Sequence, residues 1–490
     1  MEESQSKTIT NDSEYADFTK TASVASLLNI FSTSGATGID RCRILPFFVV
    51  GRGPTSDWVV NDNHVSKRHF CITEVLQQYW ITDLDSKNGT YVNGHRLLEK
   101  SQLGNNDIIR AGNLLFVFII DTGEVLKPLP LERFNIAGDF HASAIIDDIQ
   151  AAALSNHNIL ISGPSGTGKE LVATGLFNAT CRTIANAPFI VHNAARFSSE
   201  EEATTTLFGV GAKVFSDVSA KAGLIEQADN GVLFLDEVHN FPERVQRTLL
   251  RIIEDSRVTR IGDSKSRKIR VKFVLASNAD APEFGLAHDL LARLRKIEIP
   301  PLSKRVADIP SIFDKILEKE LKHLNLDYSQ VKSALKTEHY EALCLDGFKQ
   351  DNVRGLIRVA DQLATSIGKG LSPEKAVHKI FWTSFKNSPV LQRLNGGSLS
   401  SKQIAGPFQK NIPSSEPEPD HVAAESGSMS VSHYERNKAV ILHILNQTEY
   451  NVSQTIRMLN QSGIRCSRRW LDIYLEKWGI DRRRYRPRQQ

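Results

Sequence analysis

The 490-residue chain has little cysteine, and what it has is scattered. Cys42, Cys71, Cys181, Cys344 and Cys466 form no CxxC pair, which argues against a disulfide framework and against a zinc site. Long apolar runs are missing as well. No stretch approaches the ~18–20 uncharged apolar residues that a membrane span needs. The opening MEESQSKTIT lacks the apolar run of a secretory signal. Internal repeats are absent too, and the expected setting is a reducing cytoplasm. With 41% hydrophobic and 24% charged residues, wholesale disorder is excluded and large cores can be buried. At ~100–200 residues per domain, the length suits about two to four domains. The whole chain nets +4, yet residues 465–490 carry nine Lys/Arg against three acids. A basic terminus on a near-neutral body points to a polyanion partner.

The pattern changes several times along the chain. Residues 1–30 are polar and read as a flexible leader. Residues 31–124 hold short β-branched or aromatic runs, PFFVVG, HFCITEV, YWITDL, TYVNG and LLFVFII. Turn residues separate them, including Asn88-Gly89 and Asn93-Gly94, so an all-β sandwich is expected. Residues 125–385 alternate apolar strands (NILISG, PFIVHN, GVLFLDE, KFVLASN) with helical stretches, the rhythm of an α/β parallel sheet. From about Asp308 the pattern becomes helical, so a small α-helical subdomain closes this unit. Residues 386–431 are rich in Ser, Pro, Gly and Glu and read as a flexible linker. Helical spacing returns over 432–490.

The strongest chemical signal follows the strand Asn158–Ser162. There the chain reads Gly163-Pro164-Ser165-Gly166-Thr167-Gly168-Lys169-Glu170 and enters a helix. Strand, glycine turn and helix are the context of a phosphate-binding P-loop. The glycines let backbone N–H groups curl around phosphate oxygens, the helix N-terminus adds partial positive charge, and Lys169 can reach the terminal phosphates of ATP. Glu170 stands where a magnesium-binding Ser or Thr is usual. The strand ending Asp236-Glu237 places two carboxylates where α/β sheets bind ligands. Asp236 would hold Mg²⁺, and Glu237 would polarise the water attacking the γ-phosphate. Asn278 follows the strand Phe273–Ser277 as a polar tip beside that phosphate.

In order, GPSGTGKELVA, PFIVHNAA, LFGV, GLIEQADNGVLFLDEV, LASN, PPLSKRVADIP and DNVRGLIRV resemble the AAA+ domain of bacterial enhancer-binding proteins. These ATPases activate transcription by sigma-54 RNA polymerase. The family's P-loop also carries Glu after its lysine, as Glu170 does here. The resemblance further implies that Asn193 switches the catalytic glutamate, that Asn278 and Arg354 are the two sensors, and that Arg293 is an arginine finger. It also implies a homo-oligomeric, hexameric ring with sites shared between neighbours. The family's sigma-54 loop, GAFTGA, falls on Lys213-Val214-Phe215-Ser216-Asp217-Val218. Phe215 and the Ser216 hydroxyl are kept, while both glycines have become charged residues. A second finger position holds Ala287, and Asp351 stands in place of a family glycine.

Gly51-Arg52, Ser66-Lys67-Arg68-His69, Asn88-Gly89-Thr90 and Val92-Asn93-Gly94 resemble the forkhead-associated (FHA) pattern, whose domains read phosphothreonine peptides. Arg52 can pair a phosphate dianion through its planar fork. Ser66 and Lys67 would add contacts, Asn88 would hold the peptide backbone, and His69 would brace the loops. At the other end, helices over Tyr434–Asn446, Val452–Leu459 and Ser467–Trp478 make a helix-turn-helix layout resembling a Fis-type DNA-binding domain. Arg465, Ser467, Arg468 and Arg469 open its recognition helix. The expectation is therefore an FHA sandwich, an AAA+ ATPase and an all-α DNA-binding domain. Its partners would be ATP, Mg²⁺, enhancer-like DNA, sigma-54 RNA polymerase, and a phosphothreonine protein or kinase. The altered loop leaves open an alternative, a regulator or scaffold that binds ATP and DNA without remodelling sigma-54.

Overall fold

The computed structural model describes residues 24–33, 40–121, 137–138, 142–181, 186–212, 220–278 and 288–394, together with isolated positions near the C-terminus and the run 452–461. Eleven strands come first: β1 (Val24–Ser32), β2 (Asp40–Arg43), β3 (Phe47–Gly51), β4 (Trp58–Val59), β5 (Phe70–Val75), β6 (Gln78–Asp83), β7 (Thr90–Val92), β8 (His95–Arg96), β9 (Ser101–Leu103), β10 (Ile108–Ala111) and β11 (Leu114–Asp121). They form two sheets, ordered β2-β1-β11-β10-β7-β8 and β4-β3-β5-β6-β9. Alternate residues of each sheet, such as Leu27, Phe116 and Phe118 against Phe48, Val50 and Ile72, fill the space between them.

Two boundaries differ from expectation. β1 starts at Val24, inside the segment read as a leader, and pairs antiparallel with β11 along its length. The polar average of residues 1–30 hides the apolar run Val24–Phe31, in which Ala25, Leu27, Leu28, Ile30 and Phe31 are all buried. Likewise, helical Pro389–Leu394 falls in the segment read as a flexible linker, and its Val390 and Leu391 are buried.

The central unit holds β12 (Asn158–Ser162), β13 (Phe189–Asn193), the small hairpin β14 (Gly209–Val210) and β15 (Lys221–Ala222), β16 (Gly231–Asp236), the hairpin β17 (Arg257–Thr259) and β18 (Ser266–Lys268), β19 (Val271–Ser277) and β20 (Leu294–Glu298). Its main sheet, β13-β16-β19-β12-β20, is parallel throughout. The sequence pattern does not announce β20, because Leu294-Arg-Lys-Ile-Glu298 has no apolar run; its pairing with β12 defines it. Helices α1 (Ala142–Leu154) and α2 (Lys169–Thr180) cover one face. Helices α3 (Glu200–Phe208) and α5 (Glu243–Asp255) cover the other, with the short α4 (Leu224–Gln227) and α6 (His288–Leu291) beside them. The three central strands β16, β19 and β12 are largely buried on both faces, which is why they read as near-continuous Ile/Leu/Val/Phe runs.

A lid of helices follows: α7 (Ile309–His323), α8 (Tyr328–Ala334), α9 (Thr337–Asp346), α10 (Val353–Gly368) and α11 (Pro373–Phe385), then α12 (Pro389–Leu394). The sandwich is seated on it. Leu28, Phe31, Ile108, Leu115, Val117 and Ile119 point out of the first sheet and share one apolar cluster with Phe313, Tyr340, Leu343 and Phe381 of the lid. This explains β11, whose Leu114–Ile119 are buried on both faces although antiparallel sandwiches usually show water one face. Phe31 stacks on Tyr340 at 4.1 Å between ring centroids. Arg110 Nε donates to Glu341 Oε2 at 2.7 Å, with the two side chains 8% and 0% exposed. Arg393 lies 4.1 Å over the Tyr91 ring and donates to Gly94 O. The outer face of the second sheet is covered as well, since Phe47, Val49 and Cys71 cluster with Ile444, Met458 and Leu471 of the C-terminal segment. In that segment α13 (Val452–Gln461) is the described helix.

Burial pushes the Glu341 carboxyl up, and Arg110 opposes that shift. Glu341→Ala would leave the Arg110 guanidinium buried over the Tyr91 ring, with the nearest remaining carboxylate among the described residues that of Glu338 at 3.7 Å. The expected cost is about 3 kcal/mol, read as an earlier denaturation midpoint of the full chain, whereas replacing both residues by methionine recovers most of it.

Candidate functional site

Three neighbouring strands, β16, β19 and β12, end at the same sheet edge, where parallel α/β sheets bind ligands. β12 runs into the loop Gly163–Gly168 and then α2. Gly166 and Gly168 have φ of 78° and 100°, conformations that glycine adopts without strain. A Cβ on Gly163 would lie 2.6 Å from Ile299 O, so this loop also needs glycine to pass β20's exit.

Lys169 is 8% exposed, and its Nζ donates to Gly163 O at 2.7 Å, Pro164 O at 3.1 Å and Asn278 Oδ1 at 2.9 Å. The P-loop lysine and the residue after β19 are therefore in direct contact. Burial lowers the Lys169 pKa, while Asp236 pulls it back up. Asp236 is half-buried at the end of β16; burial raises its pKa, against its hydrogen bond from Glu237 N at 2.9 Å and the charge of Lys169. Glu237 has a left-handed backbone (φ 55°, ψ 38°) and begins a tight turn. Asn193 ends β13 directly across from Asp236, and its side chain accepts from Ala195 N at 2.8 Å. From the lid, Arg354 Nη1 donates to Ser165 Oγ at 2.6 Å. Thr167 is buried and Glu170 is exposed on the first turn of α2. Arg293 lies outside this group, exposed and paired with Glu254 at 2.9 Å. Among the described residues, no three or more His, Cys, Asp or Glu are grouped to hold a metal by themselves.

At the end of the sandwich, three loops converge. The first two lie side by side through Arg52 N to Ser66 O (3.0 Å) and Gly53 N to Lys67 O (2.9 Å). A Cβ on Gly51 would meet Lys67 O at 2.3 Å, so only glycine lets them approach. The third loop joins through Lys87 N to Ser66 Oγ (3.0 Å) and Asn88 Nδ2 to His64 O (2.7 Å). Arg52, Lys67 and Asn88 are exposed and Ser66 is partly so. His69 is fully buried beneath them. Its Nδ1 accepts from Ser66 N at 3.0 Å, which leaves Nε2 to donate to Gly89 O at 3.2 Å, and burial lowers its pKa. Such a neutral ring holds two loops together and touches nothing outside.

Phe215 and Ser216, as well as Arg465, Ser467 and Arg469, lie outside the described residues. Arg468 is helical and exposed. Two further residues touch the P-loop, Arg305 and Asn352, which donate to Thr167 O and Ser165 O. Both belong to quoted motifs, but neither side-chain type announces such a part.

A family profile for the sigma-54 interaction domain matches residues 136–300, and one for the FHA domain matches residues 48–112. The sigma-54-dependent transcriptional regulator SfnR of Pseudomonas fluorescens is 36% identical over 208 residues, 41% of this chain and 55% of that protein. The regulatory protein AtoC of Escherichia coli is 30% identical over 356 residues, 69% of this chain and 66% of that protein. Among solved structures, NtrX from Brucella abortus in complex with ADP aligns over 71% of both chains at 21% identity, with a TM-score of 0.44. The chain spans between 33% and 66% of the length of the curated relatives it matches. No helix among the described residues is long and apolar enough to cross a membrane. The chain thus carries a sigma-54 interaction domain together with an FHA domain, and its homologues are sigma-54-dependent transcriptional regulators.

Proposed function

We propose that this protein is a DNA-bound ATPase that regulates sigma-54 RNA polymerase under control of phosphothreonine recognition. The contact of Lys169 with Asn278, within the electrostatic reach of Asp236 and Arg354, carries the ATPase part of this reading. In this reading the N–H groups of Gly163–Gly168 and the Lys169 ammonium bind the phosphates of ATP, with Asn278 and Arg354 reporting on the γ-phosphate. Lys169 would exchange its carbonyl partners for phosphate oxygens. Asp236 offers one hard carboxylate oxygen to Mg²⁺, whose remaining ligands would be phosphate and water, a set the ion favours. The ion would neutralise charge developing on the phosphates. Glu237 holds and polarises the attacking water, and Asn193, across the strand pair, sets when it does so. Exposed Arg293 serves a neighbour's site in a homo-oligomeric ring, where a cation supplied in trans couples hydrolysis to assembly.

The FHA loops would supply the input. Arg52, Ser66 and Lys67 present a fork, a hydroxyl and an ammonium at one edge, and Asn88 stands beside them for the peptide backbone. Helix α13 and exposed Arg468 belong to the DNA-binding part, in which Arg465, Ser467 and Arg469 would share contacts to enhancer-like sites. A second reading keeps ATP and DNA but drops sigma-54 remodelling. What favours it is Lys213 and Asp217 at the two glycine positions of the sigma-54 loop, because charged side chains stiffen a loop whose glycines permit close approach. Open-complex assays at a sigma-54 promoter separate the two. ATP-dependent opening supports the first reading, and DNA binding without opening supports the second.

Glu237→Gln is expected to keep ATP binding and lower phosphate release by 10²-fold or more, since general-base assistance is worth about 10²–10⁴-fold. Equal turnover in wild type and variant would remove Glu237 from the chemistry. For the input, fluorescence anisotropy with phosphothreonine peptides should show Arg52→Ala weakening binding by about 10–100-fold, the worth of charged hydrogen bonds of ~1.5–3 kcal/mol. Affinity indifferent to the phosphate would sink the sensor.

A further inference from the structure

A loop that turns its N–H groups inward onto an anion turns carbonyls outward, and those carbonyls need donors of their own. Here the donors come from the lid side. Asn352 Nδ2 donates to Ser165 O at 2.9 Å, Val353 N to Gly166 O at 3.0 Å, and Arg305 Nη2 to Thr167 O at 3.0 Å. Three consecutive P-loop carbonyls are met this way, while the two before them, Gly163 and Pro164, are met by Lys169 Nζ. Both lid-side donor side chains are buried, Asn352 at 1% and Arg305 at 4% exposure.

Asn352 is held from two sides. Its Oδ1 accepts from Leu302 N at 2.8 Å, so one amide ties the segment after β20 to the P-loop. Its backbone, φ 52° and ψ −133°, is one that glycine favours and other residues rarely adopt. Arg354 N donates to Asp351 O at 3.1 Å and closes the turn around it. A strained backbone persists only where the surroundings fix it. The outcome of this one is that Asn352 Nδ2 and Val353 N both reach the loop. Gly166 fits beneath the turn, where a Cβ would lie 2.5 Å from Asp351 O.

We propose that Arg305 and Asn352 are positioning residues that clamp the P-loop from outside and hold it in its anion-binding shape. The clamp ties the loop's shape to the lid, so lid displacement alters the affinity for a phosphate ligand. This rests on the reading that the loop takes a nucleotide.

The test titrates ADP with magnesium into the full chain by calorimetry. Asn352→Gly keeps the backbone conformation and loses both side-chain hydrogen bonds. Arg305→Met keeps much of the bulk and loses the donor. Each is expected to bind ADP about three- to tenfold more weakly, as for the loss of one or two net hydrogen bonds. Arg305→Lys, which retains a donor, should recover part of the loss. Wild-type affinity in Asn352→Gly would show that only the backbone matters there, and wild-type affinity in Arg305→Met would show that Thr167 O needs no donor; either result overturns the clamp. Lys169→Ala separates the two ideas. If wild type binds ADP and Lys169→Ala does not, the nucleotide reading stands whatever the clamp variants do. If wild type does not bind ADP, both fall.

Discussion

Burial of Tyr340 between the sandwich and the lid is the constraint on which the arrangement depends. Its ring stacks on Phe31 of β1 and meets Phe313 edge-on, while its hydroxyl donates to Asp314 Oδ1. Lys332 joins the same group through Asp314 and the hydroxyl. Apolar burial supplies the attraction, and the polar atoms around the ring set the angle. With the sandwich fixed to α9 and the lid fixed to the P-loop through Asn352 and Arg354, the two candidate sites are joined by contiguous packing and not by a tether.

The placement of the candidate site is more legible in the sequence than the packing. The P-loop, Asp236 and Asn278 could be read because each lies in a short contiguous motif whose geometry follows from a strand, a turn and a helix. His69 was read as a brace, and the structure buries it between two loops. β1 was missed because a polar segment precedes it, and β20 because an edge strand of mixed polarity takes its identity from the neighbour it pairs with. The doubly buried β11 could have been read from its unbroken apolar run, which is too greasy for a sheet with one wet face.

Arg305 and Asn352 were missed for a different reason. They touch P-loop carbonyls 138 and 187 residues away in sequence, and arginine and asparagine are ordinary surface residues when read alone. Only the fold makes them partners of the loop. Asp351, a departure from the expected glycine, is accommodated because its carboxylate turns outward to Arg358 at 2.8 Å while its backbone carbonyl closes the turn.

The sandwich is covered on both broad faces, by the lid on one side and by the C-terminal segment on the other. Among the described residues, Arg52, Lys67 and Asn88 emerge at its rim, between those two covered faces. On the proposed reading, a phosphothreonine peptide would meet the sandwich end-on at that rim, as a key enters a lock.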